Sequence, residues 1–325
     1  MTSQVKILLI SFLATIIVSR IAIPILKKLK VRQNERDDGP KSHIKKSGTP
    51  TMGGIIILAS IIIGSVGGIL YYSWEQMEVV KSILPIICIT VGFGFIGFLD
   101  DLIKLKRKDT KGLSPKSKMI GLLIISVAYI LYLIKVLDIG LETYIPFLKI
   151  YIEFPIWAYI PFVIFVLLAS TNAINLTDGV DGLASGTTAI IVTCFTVISI
   201  LFDIKELIVF GSVITGVSLG FLLFNLYPAK VFMGDTGSLA LGGAISAMAI
   251  YLKMPLLLAI ICIVPIIETI SVMIQVVYFK RTGNRIFKMA PIHHHLELSG
   301  WSEDRVVSFA IFTTLVACVV GIIAI

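Results

Sequence analysis

The chain has 325 residues, 57% of them hydrophobic and only 15% charged, with a formal net charge of +8. A soluble fold lacks the polar surface to cover such a chain, so composition excludes a soluble globular protein and predicts a polytopic membrane protein. The four cysteines (Cys88, Cys194, Cys262 and Cys318) lie scattered in apolar runs without a Cys-x-x-Cys pair, which argues against disulfides and a thiolate metal site.

At roughly 20 apolar residues per span, the sequence predicts ten transmembrane helices, at 4–26, 51–72, 83–103, 118–137, 155–173, 184–202, 206–226, 237–253, 255–279 and 304–325. The fold class is all-α. Residues 1–325 read as a single integral membrane domain, because neither an internal repeat nor a low-complexity tail divides them. The first run ends in a basic loop without an Ala-x-Ala site, so it reads as a retained span rather than a cleaved signal. Arg20 inside it is placed to snorkel towards that basic end.

The loop from Lys27 to Pro50 carries eight Lys and Arg, and its end reads Lys45-Lys46-Ser47-Gly48-Thr49-Pro50-Thr51-Met52-Gly53-Gly54. The lysines fit a topogenic charge run. The clustered glycines and hydroxyls, with Lys46, also suit phosphate oxygens. The third span closes on Asp100 and Asp101. Adjacent carboxylates at a membrane boundary repel each other and resist desolvation, so either a divalent cation or the following basic run (Lys104, Lys106, Arg107, Lys108) must offset them. Beyond the fourth span, Phe147–Phe154 alternates partially with β-type residues. It predicts a small extracytoplasmic hairpin with Pro146 at a turn or edge.

The richest polar stretch is Asn172-Ala-Ile-Asn175-Leu-Thr-Asp178-Gly179-Val-Asp181-Gly182, flanked by long apolar runs. So many polar groups beside spans imply a polar ligand. Asp178 and Asp181 are three apart, so a helical turn would put them on one face. The seventh span ends at Asn225, and Phe232-Met233-Gly234-Asp235-Thr236-Gly237-Ser238 follows. There a carboxylate between glycines precedes hydroxyls at a helix start, a place favourable to anions and suited to a third metal-binding carboxylate. The ninth span carries Glu268 near its middle and Gln275 on the same face. The last loop holds His293, His294 and His295, of which at most two can serve one site because successive helical residues point about 100° apart.

The loops after odd-numbered spans hold 21 of the 28 Lys and Arg. That bias predicts these loops in the cytoplasm and both termini outside. Every polar motif then falls on the cytoplasmic face. With no Walker A sequence, the convergence suggests metal-assisted phosphoryl transfer rather than an ATP-driven pump.

Gly48–Gly54, Phe98–Asp101, Asn172–Gly182, Met233–Ser238 and Pro291–His295 together resemble the signatures of the polyprenyl-phosphate N-acetylhexosamine-1-phosphate transferases. The Thr-Pro-Thr-Met-Gly-Gly segment and the triple histidine point to the peptidoglycan branch. The resemblance covers nearly the whole chain and implies transfer of phospho-MurNAc-pentapeptide from UDP-MurNAc-pentapeptide to undecaprenyl phosphate, giving lipid I and UMP, with Mg2+. It implies Asp100, Asp101, Asp235, His294 and His295 as catalytic residues, with Asp235, Asp100 and Asp101 at the metal. Lys46, Thr51, Asn172, Asn175, Asp178, Asp181, Asn225, Phe232, Gly234, Ser238, Gln275 and His293 would surround the nucleotide and diphosphate. The expected setting is a bacterial inner membrane, with the bilayer as partner, no nucleic acid, and a homodimer. Direct attack by the lipid phosphate and a covalent aspartyl-phosphate both remain open. A UDP-GlcNAc-using transferase and a lipid transporter are the rival readings.

Overall fold

The computed structural model describes residues 2–29, 48–72, 77–107 and 112–325. The main helices are α1 (Ser3–Lys28), α2 (Gly54–Tyr72), α3 (Met77–Arg107), α4 (Pro115–Lys135), α5 (Ile156–Thr177), α6 (Leu183–Leu201), α7 (Lys205–Asn225) and α8 (Gly234–Tyr251). They are followed by the short α9 (Leu258–Ile261), then α10 (Ile263–Thr282), the short α11 (Ile292–Glu297) and α12 (Glu303–Ile323). Among the described residues, eight helices are long and apolar enough to cross a membrane. Large apolar side chains such as Leu13, Ile124, Phe165, Ile274 and Phe312 stay exposed on their outer faces, as lipid contact requires of a multi-pass membrane protein.

Two of the ten expected spans differ in kind from those eight. The apolar part of α2, Gly54–Leu70, is shorter. Helix α8 is diluted by glycines, serines and Asp235, yet it is buried from Thr236 to Ile250. It meets protein rather than lipid, so small residues serve it better than large apolar ones. The stretch expected as one span from 255 is broken. A 3-10 turn (Pro255–Leu257) and α9 precede Cys262, and the long helix begins only at Ile263. Pro265 has no N–H to continue the helical ladder across that break.

Elsewhere the bundle packs through small residues. Helix α1 presents Ser11, Thr15 and Ser19, one turn apart and buried, and Ser11 and Thr15 lie against α7. Close backbone approach replaces the apolar driving force that a bilayer cannot supply. Thr15 returns its hydroxyl to Ser11 O at 2.7 Å, so burial leaves it satisfied.

Strands β1 (Glu142–Ile145) and β2 (Ile150–Glu153) pair antiparallel, with Glu142 opposite Glu153 and Pro146 in the turn. The hairpin docks on the end of α8: Tyr144 N donates to Lys253 O (2.7 Å) and Lys253 Nζ reaches Glu142 Oε2 (3.1 Å). Helix α8 has 18 residues, so its other end lies about 27 Å away. That other end builds the polar cluster.

Candidate active site

The centre is made by the last turns of α3 and the first turn of α8. Asp100 and Asp101 come from α3 and Asp235 from α8, and their ligand atoms lie within 4.8 Å of one another. Helix α8 begins at Gly234, and its N-cap residue, Met233, makes no side-chain cap. Asp101 supplies the cap from a different helix. Its Oδ1 accepts from Asp235 N (3.2 Å), and its Oδ2 accepts from Thr236 N (2.9 Å) and Thr236 Oγ1 (2.6 Å). A carboxylate at a helix N-terminus satisfies otherwise orphaned N–H groups and meets the positive end of the helix dipole.

Asp100 is held differently. Its Oδ1 accepts from Leu113 N (2.7 Å) and its Oδ2 pairs with Lys104 Nζ one turn on (2.6 Å). Lys104 also reaches Asp235 Oδ2 at 3.0 Å, where Lys118 arrives from α4 at 2.7 Å. Asn175 Nδ2 donates to Asp235 Oδ1 (3.0 Å) and to Ser238 Oγ (2.8 Å). Three carboxylates thus face two ammonium groups, leaving one negative charge in excess. Asp235 is the most accessible, with 18% of its side chain exposed against 4% and 6% for Asp100 and Asp101. The donors are all oxygens, the type that hard divalent cations select, so these residues fit such an ion.

Backbone contacts set this geometry. Gly53 N and Gly54 N donate to Phe232 O and Met233 O (both 2.8 Å), and Phe232 N donates to Pro50 O (2.9 Å). The Thr-Pro-Thr-Met-Gly-Gly segment therefore clamps the chain just before Gly234, whose φ of 71° turns it into α8. Thr51 stands beside Gly234.

A second cluster adjoins. Asp178 and Asp181 do not share a helical face, because α5 ends at Thr177 and both lie in the turn to α6. Asp181 Oδ2 accepts from Ala229 N (2.9 Å). Asn225 Oδ1 accepts from Gly182 N (3.2 Å) and Ser185 Oγ (2.7 Å), while its Nδ2 donates to Val231 O (3.0 Å). These bonds tie the 178–182 turn to 225–231. Burial, then the charges of Asp235 and Asp101, push the Asp178 carboxyl up to about 7, against the opposing Gly234 N–H. The unfolded chain ionises Asp178 near 3.8, so its contribution to stability is full below that value and is lost as pH rises through about 7. Asp178→Asn should therefore gain thermal stability relative to the parent as pH rises from about 4 to about 7, and the gain should level off above that. Unfolding curves in detergent without nucleotide or metal check this, and an offset independent of pH would contradict it.

The remaining predicted residues are held by other partners. Gln275 accepts from Ile286 N and Phe287 N (3.1 and 3.0 Å) and donates to Phe287 O (3.1 Å). His295 Nδ1 accepts from Lys288 N (3.2 Å), and His294 Nδ1 lies 2.9 Å from Glu297 Oε2. His293 is buried beside Glu268. Asn172 turns back to Leu168 O (2.7 Å) and touches Met119 Sδ (3.8 Å). Phe232 is partly exposed beside the clamp. Lys46 falls outside the described residues.

Lys104, Lys118 and Thr236 were not among the predicted site residues. The spacing of Lys104 from Asp100 and Asp101 carried a local signal for the pairing. Lys118 had none, since α3 and α4 must pack before it reaches Asp235.

The chain matches glycosyl transferase family 4 over residues 83–253. Residues 46–58 match phospho-N-acetylmuramoyl-pentapeptide-transferase signature 1. The phospho-N-acetylmuramoyl-pentapeptide-transferase of Halalkalibacterium halodurans is 50% identical over 300 residues, covering 92% of this chain and 90% of that protein. The enzyme of that name from Acetivibrio thermocellus is 46% identical over 323 residues, 99% of this chain and 95% of its own. That from Clostridium acetobutylicum is 46% identical over 316 residues, 97% of each.

Proposed function

The chain belongs to the phospho-N-acetylmuramoyl-pentapeptide-transferases within glycosyl transferase family 4, and from that premise we propose that it transfers phospho-MurNAc-pentapeptide from UDP-MurNAc-pentapeptide to undecaprenyl phosphate, with Mg2+ as cofactor. The products are lipid I and UMP. The observation that carries the reading is the oxygen-only trio Asp100, Asp101 and Asp235, flanked by Lys104 and Lys118, at one end of an apolar helix bundle.

In this reaction an oxygen of the lipid phosphate attacks the phosphorus that bears the sugar. The new P–O bond forms as the bond to the uridylate phosphate breaks, and UMP leaves with that electron pair. Mg2+, when bound, supplies charge neutralisation for the diphosphate. Asp235 would be its chief ligand because it is the most accessible carboxylate, with Asp100 and Asp101 beside it. The Asp101 oxygens accept three hydrogen bonds from the α8 start, more than the two contacts that hold Asp100, so Asp100 is the carboxylate assigned to take the proton of the lipid phosphate. Neither role needs a covalent aspartyl-phosphate, since the lipid phosphate is itself the nucleophile. Lys104 and Lys118 offer their ammonium groups to phosphate oxygens. Lys46, Thr51, Asn175, Asp178, Asp181, Asn225, Gly234 and Ser238 surround the donor, and Phe232 stacks on uracil. Asn172, Gln275, His294 and His295 complete the site as its outer wall.

The whole chain, 1–325, acts as one transferase domain in the bacterial inner membrane. Ten membrane helices place both termini outside and the site on the cytoplasmic face, in keeping with the lysine and arginine bias. A homodimer is the assembly the family resemblance implies.

Donor choice tests the reading. Purified protein given undecaprenyl phosphate and Mg2+ should consume UDP-MurNAc-pentapeptide and leave UDP-GlcNAc untouched. The reverse preference would move it to another branch of the superfamily. Metal-independent lipid flux in vesicles without turnover would make it a transporter.

A further inference from the structure

Glu268 lies along α10 and is only 3% exposed, in a helix of mostly apolar residues. A buried carboxylate needs a partner. It finds His293, the second residue of α11, itself 1% exposed. His293 Nδ1 stands 3.0 Å from Glu268 Oε2, a close electrostatic contact off the axis of a hydrogen bond. The His293 backbone N–H donates to the same oxygen at 3.3 Å. One carboxylate oxygen thus fixes both the ring and the main chain of α11.

The other side of the ring meets the 178–182 turn. A Cβ on Gly179 would lie 2.2 Å from His293 Nε2 and 2.6 Å from Cε1. No side chain but hydrogen fits there, and Gly179 directly follows Asp178. The His294 ring stacks edge-on at 4.2 Å between centroids. With one ring nitrogen beside Glu268 and the other against Gly179, His293 has no open face for a ligand.

We infer that Glu268 and His293 are positioning residues: a buried strut that fixes α11, which presents His294 and His295, against the turn that presents Asp178. The inference rests on the proposed reading of that turn as part of the donor site. The strut touches no reacting atom. Removing either half loosens the turn and weakens donor binding, while the phosphoryl-transfer step at Asp100, Asp101 and Asp235 is left alone.

The test uses the full-length protein with Glu268→Ala, His293→Ala, the double variant, Glu268→Gln and Gly179→Ala. UMP binding is measured by calorimetry, KM and kcat for UDP-MurNAc-pentapeptide by UMP release, and backbone hydrogen exchange over 178–182 and 291–297. Each alanine variant should raise Kd and KM about tenfold and change kcat less than about twofold. Exchange should speed up in both segments together. The double variant should be no worse than either single one, because both remove the same contact. Glu268→Gln, which keeps the shape of the side chain and still offers an oxygen to the His293 backbone N–H, should restore most of the affinity. Gly179→Ala, which removes no buried polar group, should weaken UMP as the alanine variants do, and it carries the test if those fail to fold. Additive losses, a fall in kcat at unchanged Kd, or normal UMP affinity in Gly179→Ala would overturn the strut. If the parent protein binds no uridine nucleotide, the donor-site reading fails. Coupled exchange of the two segments still decides whether the strut exists.

Discussion

Asp235→Asn is expected to lower turnover by about a thousandfold while the protein still folds. Metal-assisted charge stabilisation contributes several kcal/mol to a transfer of this kind, and each 1.36 kcal/mol is about tenfold in rate. Asp235 is the carboxylate on which Lys104, Lys118 and Asn175 all converge. Asparagine keeps its shape but loses the charge, leaving two ammonium groups short of their counter-charge and removing the most accessible of the three carboxylates proposed to hold the metal. Its backbone N–H still donates to Asp101, so the α8 start remains capped. Asp101→Asn should differ in kind. It weakens the cap on Asp235 N and Thr236 N, and its activity loss should come with about 1 kcal/mol of lost stability. UMP release measured beside thermal unfolding separates the two. Asp235→Asn with near-parental turnover would place the metal elsewhere.

Gly97→Ala should damage both fold and activity, although it adds a single methyl group. A Cβ at that position would stand 2.1 Å from Asp235 O, 2.5 Å from its carbonyl carbon and 2.7 Å from Thr236 N. All three are backbone atoms, which cannot rotate aside. Overpacking of this sort costs about 1–3 kcal/mol or more, and relief requires α3 and α8 to separate. That separation draws Asp235 away from Asp100 and Asp101, and misplacement of about 1 Å at a reacting centre can cost about a hundredfold in rate. Gly54→Ala meets Gly237 N at 2.1 Å and should behave alike. Gly67→Ala on the same α2 helix meets nothing within 4 Å and should be silent. Unfolding temperatures and turnover of the three variants check the set. A stable, active Gly97→Ala would mean that the two helices are not so closely seated.

The class of the molecule was legible from hydropathy, because a bilayer imposes long apolar runs on any chain that crosses it. A hairpin was legible from the alternation over Phe147–Phe154 and from Pro146, but its first strand, Glu142–Ile145, was not. The carboxylates Asp100, Asp101 and Asp235 were conspicuous as charges beside apolar runs. Their convergence was not a local property, since it depends on α8 starting against the end of α3. For the same reason Asp101 could not be seen as a cap for α8, nor Lys118 as a partner of Asp235. Spacing alone allows Asp178 and Asp181 a shared helix face, but α5 ends at Thr177, Gly182 turns left-handed at the start of α6, and the pair sits in the turn between. The break before α10 was hidden because its residues are as apolar as those of the span it interrupts. Glu268 and His293 each stood out as unusual, and only the packing of α11 beneath the 178–182 turn joins them.

The most direct measurement is UMP release from UDP-MurNAc-pentapeptide by the purified protein with undecaprenyl phosphate, with Mg2+ and after its removal by chelation. The account predicts UMP and a labelled lipid product in equal amounts with Mg2+, neither after chelation, and recovery when Mg2+ is restored. UMP formed at the same rate without any divalent cation would contradict the assignment of Asp100, Asp101 and Asp235 as a metal-assisted transfer centre.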